Sequence, residues 1–195
     1  PNVVTAHICV AAYLNSLRNV SFQHRLSLRL MAASEARFYR QHKGPVIAVS
    51  RKILDELKQY YGIDDDRISV IPHGVDSERF NPSNRNLHRE TIRCQLNIAQ
   101  NQVVALYVGD LTKAHNHLRD LSEVLPDVRF IIVTGSHAYH WQLPNVQILP
   151  PTSELHRYYA AADAFVFPTT YDAFGMVVLE AMASGLPVFS SDQAG

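Results

Sequence analysis

Short apolar runs alternate along the chain with stretches whose apolar residues recur at helical spacing, and glycine, proline or a polar cluster closes most of them. Val3-Val4-Thr5, Pro45 to Ser50, Arg67 to Ile71, Val103 to Val108, Val128 to Thr134, Val146 to Leu149, Ala164 to Phe167 and Pro187 to Phe189 read as strands. Several are apolar at successive positions rather than at every second one, as in parallel strands covered on both faces. Ser50 starts a predicted helix through Tyr60, with Leu54 and Leu57 facing inward and Gly62 ending it. Further helices are predicted near Leu87 to Leu96, Leu118 to Leu125, Ser153 to Ala162 and Met176 to Ala183, the last closed by Gly185 and Pro187. Strand and helix in alternation predict an α/β fold with parallel sheets.

Residues 81–102 are polar and interrupt this alternation. They divide the chain into an α/β part at 1–80, a connection at 81–102 and a second, Rossmann-like part at 103–195. The first part also holds Arg18 to Lys43, where Arg18, Arg25, Arg29, Arg37, Arg40 and Lys43 stand against one acid, Glu35. Leu26, Leu28, Leu30, Met31 and Phe38 supply its apolar positions, so it reads as one long or broken basic amphipathic helix. Either its arginines are a solvated face with their stems packed on the fold, or the surface meets an anionic lipid or a phosphorylated acceptor.

The densest chemistry lies from Tyr171 to Val188, Y-D-A-F-G-M-V-V-L-E-A-M-A-S-G-L-P-V. It starts where the strand Ala164 to Phe167 ends, passes through a loop with Asp172 and Gly175, and becomes the helix Met176 to Ala183. Ligands of open α/β sheets sit beyond the strand ends, where helix N-termini offer free N–H groups to anions. Val177, Val178, Leu179, Ala181 and Met182 surround Glu180, so the helix is expected to be largely buried. Its carboxylate then needs a partner, or it reaches water on the one wet face.

The order acid, one residue, Phe-Gly, four residues, Glu-Ala-Met-Ala-x-Gly-x-Pro-Val closely resembles the signature of the retaining, nucleotide-sugar-dependent glycosyltransferase family 4. That resemblance implies the GT-B fold of two Rossmann-like domains, here the end of the N-terminal domain and most of the C-terminal, nucleotide-sugar-binding one. It implies that Glu180 holds the ribose hydroxyls, that Asp172 holds donor-sugar hydroxyls, and that the backbone of Ala173, Phe174 and Gly175 lies against sugar and diphosphate. The family more often has Glu at position 172; Asp is shorter by about 1.5 Å.

Other segments fit the same resemblance. His7, at the end of the first strand, matches a histidine near the reacting centre and is also readable as a capped surface residue. Arg67 to Asp76 resembles the close of the N-terminal domain, with His73 where Asn is more usual and Gly74 in the turn. After Val108, the family's loop brings Arg and Lys to the donor diphosphate. Here Gly109-Asp110-Leu111-Thr112-Lys113-Ala114-His115 offers Lys113, with His115 as a second cation only when protonated. Ile148 to Pro151 would lie near the nucleotide base. The activity implied is transfer of a sugar from a nucleotide diphosphate sugar to an acceptor hydroxyl with retention, the acceptor being a glycan or lipid-linked. Alternatives on the same fold are a nucleotide-sugar epimerase and a non-catalytic sugar-nucleotide-binding protein.

Composition narrows the field further. Among 195 residues, 18 Lys and Arg balance 18 Asp and Glu, so no global field draws the chain to nucleic acid. Cys9 and Cys94 lack metal spacing and fit a reducing, cytoplasmic setting, with peripheral contact at a membrane through 18–43. Asp64-Asp65-Asp66 is placed in a turn rather than at a metal, and His137 and His140 in a solvated loop. No metal and no cofactor is expected, the nucleotide sugar being a substrate. The chain opens inside a predicted strand and stops in a loop, so it is expected to be a fragment, inactive alone.

Overall fold

The computed structural model describes residues 2–17, 20–136 and 141–195. Arg18, His137 and His140 therefore lie outside the described residues. The chain forms two compact α/β units: the first comprises residues up to Gly74 with Thr170–Gly175 and Asp192–Gly195, the second Val75–Thr169 with Met176–Ser191.

The first unit is a parallel sheet of β1 (Val4–Ala6), β2 (Val46–Ala48) and β3 (Ile68–Val70), in that order. Helices α1 (Val10–Ser16) and α2 (Phe22–Gln41) connect β1 to β2, and α3 (Arg51–Tyr61) connects β2 to β3. Ser50 Oγ accepts from the Ile53 amide at 3.2 Å, and Gly62, at φ 64°, closes the helix by donating to the Lys58 carbonyl. Ile53 and Leu57 are the buried pair of α3, in a core with Cys9, Val46 and Ala48, while Leu54 packs half-buried at its margin. The 64–66 acids stand in a 3-10 turn, Asp65–Arg67, with Asp65 paired to Lys58 at 2.5 Å.

Within the basic region one long helix runs over Phe22–Gln41, as expected. Of the apolar residues noted in its sequence, only Leu28 is buried; Leu26, Leu30, Met31 and Phe38 are exposed. Leu28 and Tyr39, eleven residues apart and so on one side of a helix, form the inward seam instead.

The second unit is a parallel sheet in the order β6-β5-β4-β7-β8, from β4 (Val104–Val108), β5 (Arg129–Val133), β6 (Val146–Leu149), β7 (Ala164–Phe167) and β8 (Val188–Ser190). All of β4 is buried, as a central strand covered on both faces should be. From β4 the chain proceeds outward through β5 and β6, then returns to place β7 on the other side of β4. This reversal between β4 and β7 is the switch point at which doubly wound sheets leave a crevice beyond the strand ends. Gly109 follows β4 there, while Pro168 and Thr169 follow β7.

Helices α4 (Asn84–Gln95), α5 (His115–Val124), α6 (Leu155–Ala161) and α7 (Met176–Ala183) accompany this sheet. The polar stretch 81–102 is held here by arginines at helical spacing. Arg85, Arg89 and Arg93 all reach Asp163 just before β7, at 3.1, 2.6 and 2.6 Å. Arg93 is fully buried and also donates to the carbonyls of Ala99, Gln100, Gln102 and Ala161. Helix α7 is less buried than its composition suggests: Ala181 is covered, whereas Met176 and Met182 are exposed. It is apolar around its whole circumference, and packing on one side of a sheet covers only part of that.

Candidate functional site

In the second unit the chain leaves β4 through Gly109, at φ 150°, where an added Cβ would stand 3.1 Å from Tyr107 Oη and 3.6 Å from the Phe167 ring. Backbone conformation and close ring approach together demand glycine. Asp110 then fixes the loop: its Oδ1 accepts from the Thr112 amide at 3.0 Å and from Ser136 Oγ at 2.9 Å. Burial pushes this carboxyl up, but the Thr112 and Ser136 hydrogen bonds and Lys113 outweigh it and hold it below the ordinary Asp value. Leu111–Lys113 forms one 3-10 turn, which leads Lys113, half-buried, into the start of α5.

His115 is held from both ring nitrogens: Trp141 Nε1–H donates to its Nε2 at 3.0 Å, and its Nδ1 lies 3.0 Å from Asn116 Oδ1.

Glu180 has a partner. Tyr159 of α6, with no exposed surface, donates its hydroxyl to Glu180 Oε2 at 2.9 Å, and the Tyr159 hydroxyl also lies 3.1 Å from the Val177 carbonyl oxygen. Burial raises the Glu180 carboxyl above its ordinary value, opposed by the Tyr159 bond and the charge of Arg79. The Tyr159 hydroxyl is pushed far up by burial and by the adjacent carboxylate, so it remains a donor. Ile148 and Leu149 are half-buried at the end of β6, and Pro151 approaches Gly135 beyond β5.

The first unit holds the remaining residues. His7 directly follows β1, and its ring stacks on that of His73 with centroids 5.2 Å apart; His73 meets the Phe174 ring edge-on at 5.0 Å. The loop Thr170–Gly175 is held by the start of α3. Ser50 Oγ donates to the Ala173 carbonyl at 2.6 Å, and Tyr171 Oη donates to Glu56 Oε2 at 2.8 Å, with Lys52 4.4 Å above the Tyr171 ring. Burial raises Glu56, and the Tyr171 bond and Lys52 oppose the rise. Asp172 Oδ1 accepts from the amides of Phe174 at 3.1 Å and Gly175 at 2.7 Å, and Gly175 takes φ 78°. This is an Asx turn, in which the aspartate side chain bonds the backbone of its own loop. His7, His73, Asp172 and Phe174 thus come together in the first unit; Gly109, Lys113 and Glu180 belong to the second.

The comparisons with known proteins divide the chain similarly. The family described as Glycosyltransferase Family 4 matches residues 1–79, and Glycosyl transferases group 1 matches residues 102–195. The chain belongs to these glycosyltransferases. A D-inositol 3-phosphate glycosyltransferase of Nocardia farcinica is 32% identical over 164 residues, 72% of this chain and 36% of the relative. The teichuronic acid biosynthesis glycosyltransferase TuaC of Bacillus subtilis, a putative assignment in its own description, is 31% identical over 163 residues, 77% of this chain and 39% of that protein. The chain thus spans well under half the length of these relatives.

Among solved structures, WaaG, a glycosyltransferase involved in lipopolysaccharide biosynthesis, superposes with a TM-score of 0.80 at 22% identity, covering 100% of this chain and 57% of its own. Anabaena HepE in complex with UDP-glucose gives 0.76 at 23% identity, over 99% and 54%. The fold is GT-B.

Sequence reasoning did not find Tyr159, Ser50 or Glu56. Tyr159 lies 21 residues before Glu180, and Ser50 lies 123 before Ala173, so no local spacing links them. A tyrosine in a predicted helix beside a second buried helix was the one available hint for Tyr159. On this glycosyltransferase scaffold, the Asp172 departure has a local explanation: the shorter carboxylate reaches the amides two and three residues ahead of it. Among the described residues, no three His, Cys, Asp or Glu side chains are grouped as a metal site.

Proposed function

We propose that the protein containing this chain is a retaining glycosyltransferase that moves a sugar from a nucleotide diphosphate sugar to an acceptor hydroxyl. The bond from the anomeric carbon to the diphosphate oxygen breaks, a bond from that carbon to the acceptor oxygen forms on the same face, and the acceptor's hydroxyl proton passes to the departing diphosphate. In the second unit, Glu180 accepts from the ribose hydroxyls, and Lys113 at the Gly109 loop meets the diphosphate as it takes up charge. In the first unit, Asp172 and the backbone of Ala173, Phe174 and Gly175 serve the donor sugar, and His7 orients the reacting hydroxyl. Positioned cationic and N–H groups then supply the stabilisation, without a metal or cofactor. Glycan or lipid-linked acceptors follow from the relatives, whose descriptions include teichuronic acid and lipopolysaccharide biosynthesis. The free thiols of Cys9 and Cys94 agree with a cytoplasmic setting.

One observation carries this reading: in the signature helix, a half-buried Glu180 is fixed by a buried tyrosine that holds one of its oxygens. HepE, of the same fold, is known in complex with UDP-glucose, which supports a nucleotide-sugar ligand for this chain as well. The test uses the full-length protein. Thermal stabilisation is screened with UDP-, GDP- and ADP-sugars, since a ligand of the native state raises the melting point. The anomer of the product is then read with and without acceptor. Stabilisation by one nucleotide class and an acceptor-dependent product of unchanged configuration support the proposal; absence of both contradicts it.

A second reading, a non-catalytic sugar-nucleotide-binding protein, draws on Asp172, whose Oδ1 is already engaged by two amides. Binding by calorimetry without transfer to any acceptor would favour it. An epimerase would convert the donor with no acceptor present.

A further inference from the structure

We propose that Arg79 is a positioning residue for the nucleotide, tying the segment that enters the second unit to the β6–α6 loop and acting by its charge on Glu180. This role depends on Glu180 holding the ribose, as proposed above. Asp76 turns the entering chain: its Oδ1 accepts from the amides of Glu78 and Arg79, both at 3.1 Å. Asn84 Nδ2 donates to the Arg79 carbonyl at 2.7 Å, so the backbone of Arg79 is fixed from both sides. The next residue, Phe80, is buried and meets the Tyr159 ring edge-on with centroids 5.7 Å apart. Pro82 lies just past the end of α7, where an added Cβ on Gly185 would stand 3.2 Å from it. The entering segment thus rests against α6 and the close of α7, the two helices that the Tyr159–Glu180 bond joins.

From that fixed backbone the exposed Arg79 side chain reaches the loop after β6, where its Nη2 donates to the carbonyl of Ser153, just ahead of α6. The same loop carries Pro150 and Pro151, in the stretch that the resemblance sets near the nucleotide base. The guanidinium also favours the ionised form of Glu180, which burial opposes. One side chain therefore bears on both the loop beside the base and the carboxylate proposed for the ribose. Phe80 supplies the packing at this point while Arg79 stays exposed, so the charge is not needed to hold the fold. Other titratable groups face the same region. Burial, with His88, Arg79 and Arg157 behind it, holds His156 of α6 below the ordinary histidine value against Glu154, whose Oε2 lies 3.9 Å from its Nε2. The His88 ring of α4 meets that of His156 at 5.4 Å. A variant without the Glu180 carboxylate separates these histidines from the effect assigned to Arg79.

The test is calorimetry of the full-length protein with UDP, GDP and ADP across pH, on the parent, Arg79→Gln and Arg79→Lys, each with and without Glu180→Gln. The parent is expected to bind one of the nucleotides more tightly as pH rises through the elevated Glu180 value. Arg79→Gln should bind it about threefold more weakly below that rise, the scale of one exposed charge interaction, and its rise should come at higher pH. Added salt should shrink this difference. Arg79→Lys, which keeps the charge, should restore the parent profile, and in Glu180→Gln the Arg79 substitution should displace nothing. Melting temperatures of the Arg79 variants should match the parent. A profile that Arg79→Gln leaves in place, one that Arg79→Lys displaces equally, or a displacement that persists with Glu180→Gln would overturn the proposal while the parent still binds. So would a lowered melting temperature with affinity reduced equally at every pH, which would make Arg79 a structural tie. A parent that binds none of the three nucleotides would contradict the nucleotide reading of Glu180, and the role of Arg79 with it.

Discussion

Tyr159 donates its hydroxyl to Glu180 across 2.9 Å, joining α6 to α7 through the residue proposed to hold the nucleotide. The donor is fully buried, so no water competes with the carboxylate for its hydroxyl proton. Tyr159→Phe should leave the packing of the ring in place while removing this bond. Nucleotide affinity measured by calorimetry is expected to fall about tenfold, the scale of one hydrogen bond to a charged group.

The raised carboxyl of Glu180 also gives a pH dependence with a definite sign. In its proposed role the ionised form accepts from ribose hydroxyls, so nucleotide binding should strengthen as pH rises from the ordinary Glu range through the elevated folded value. Tyr159→Phe should move that transition to higher pH, because the lost bond is what opposes the effect of burial. Stability runs the other way. A folded value raised above the unfolded one contributes stability below the ordinary Glu range and loses it as pH rises through the folded value. Glu180→Gln should therefore melt no lower than the parent protein at neutral pH, while binding nucleotide more weakly; thermal melts across pH check this.

Asp172 combines a turn-holding role in its loop with a proposed ligand role, and two substitutions separate them. Asp172→Asn keeps an oxygen that can accept from the Phe174 and Gly175 amides, whereas Asp172→Ala leaves both without that acceptor. The alanine variant is expected to lose about 1 kcal/mol of stability as well as turnover. The asparagine variant should keep its melting temperature and lose turnover. Equal turnover in parent and asparagine variant would confine Asp172 to holding the loop.

Asp163 is the anchor of the α4 arginines. Burial pushes its carboxyl up, but the Val104 amide with Arg89 and Arg85 more than reverses this, leaving it below the ordinary Asp value. Its contribution is present above that ordinary value and is lost as pH falls through the depressed one. Asp163→Ala leaves the fully buried Arg93 without its counter-charge and should cost about 3 kcal/mol in denaturant melts. Nucleotide affinity of the folded fraction should not change.

Long, uniformly apolar segments were legible in the sequence. Val104–Val108 and Arg129–Val133 lie where their apolar runs predict strands, because a strand buried on both faces has little choice of residue. Ser50 and Gly62 likewise bound α3 through local chemistry that spacing displays. Facing was less legible. Leu26 and Leu30 look like core by residue type, yet the inward side of α2 is set by Leu28 and Tyr39, and only contact with the sheet decides that. α1 is seven residues long, too short for a helical period to stand out. Motif order singles out Asp172 and Glu180 as candidates, whereas the residues that hold them or their loop, Tyr159, Ser50 and Glu56, are distant in sequence and carry no motif that links them.

Titration calorimetry of the full-length protein against UDP-, GDP- and ADP-sugars, repeated on Glu180→Ala, addresses most directly the proposal that this carboxylate holds the nucleotide. The parent is predicted to bind one nucleotide class and the variant to bind it about tenfold or more weakly. An affinity unchanged by the substitution would contradict it.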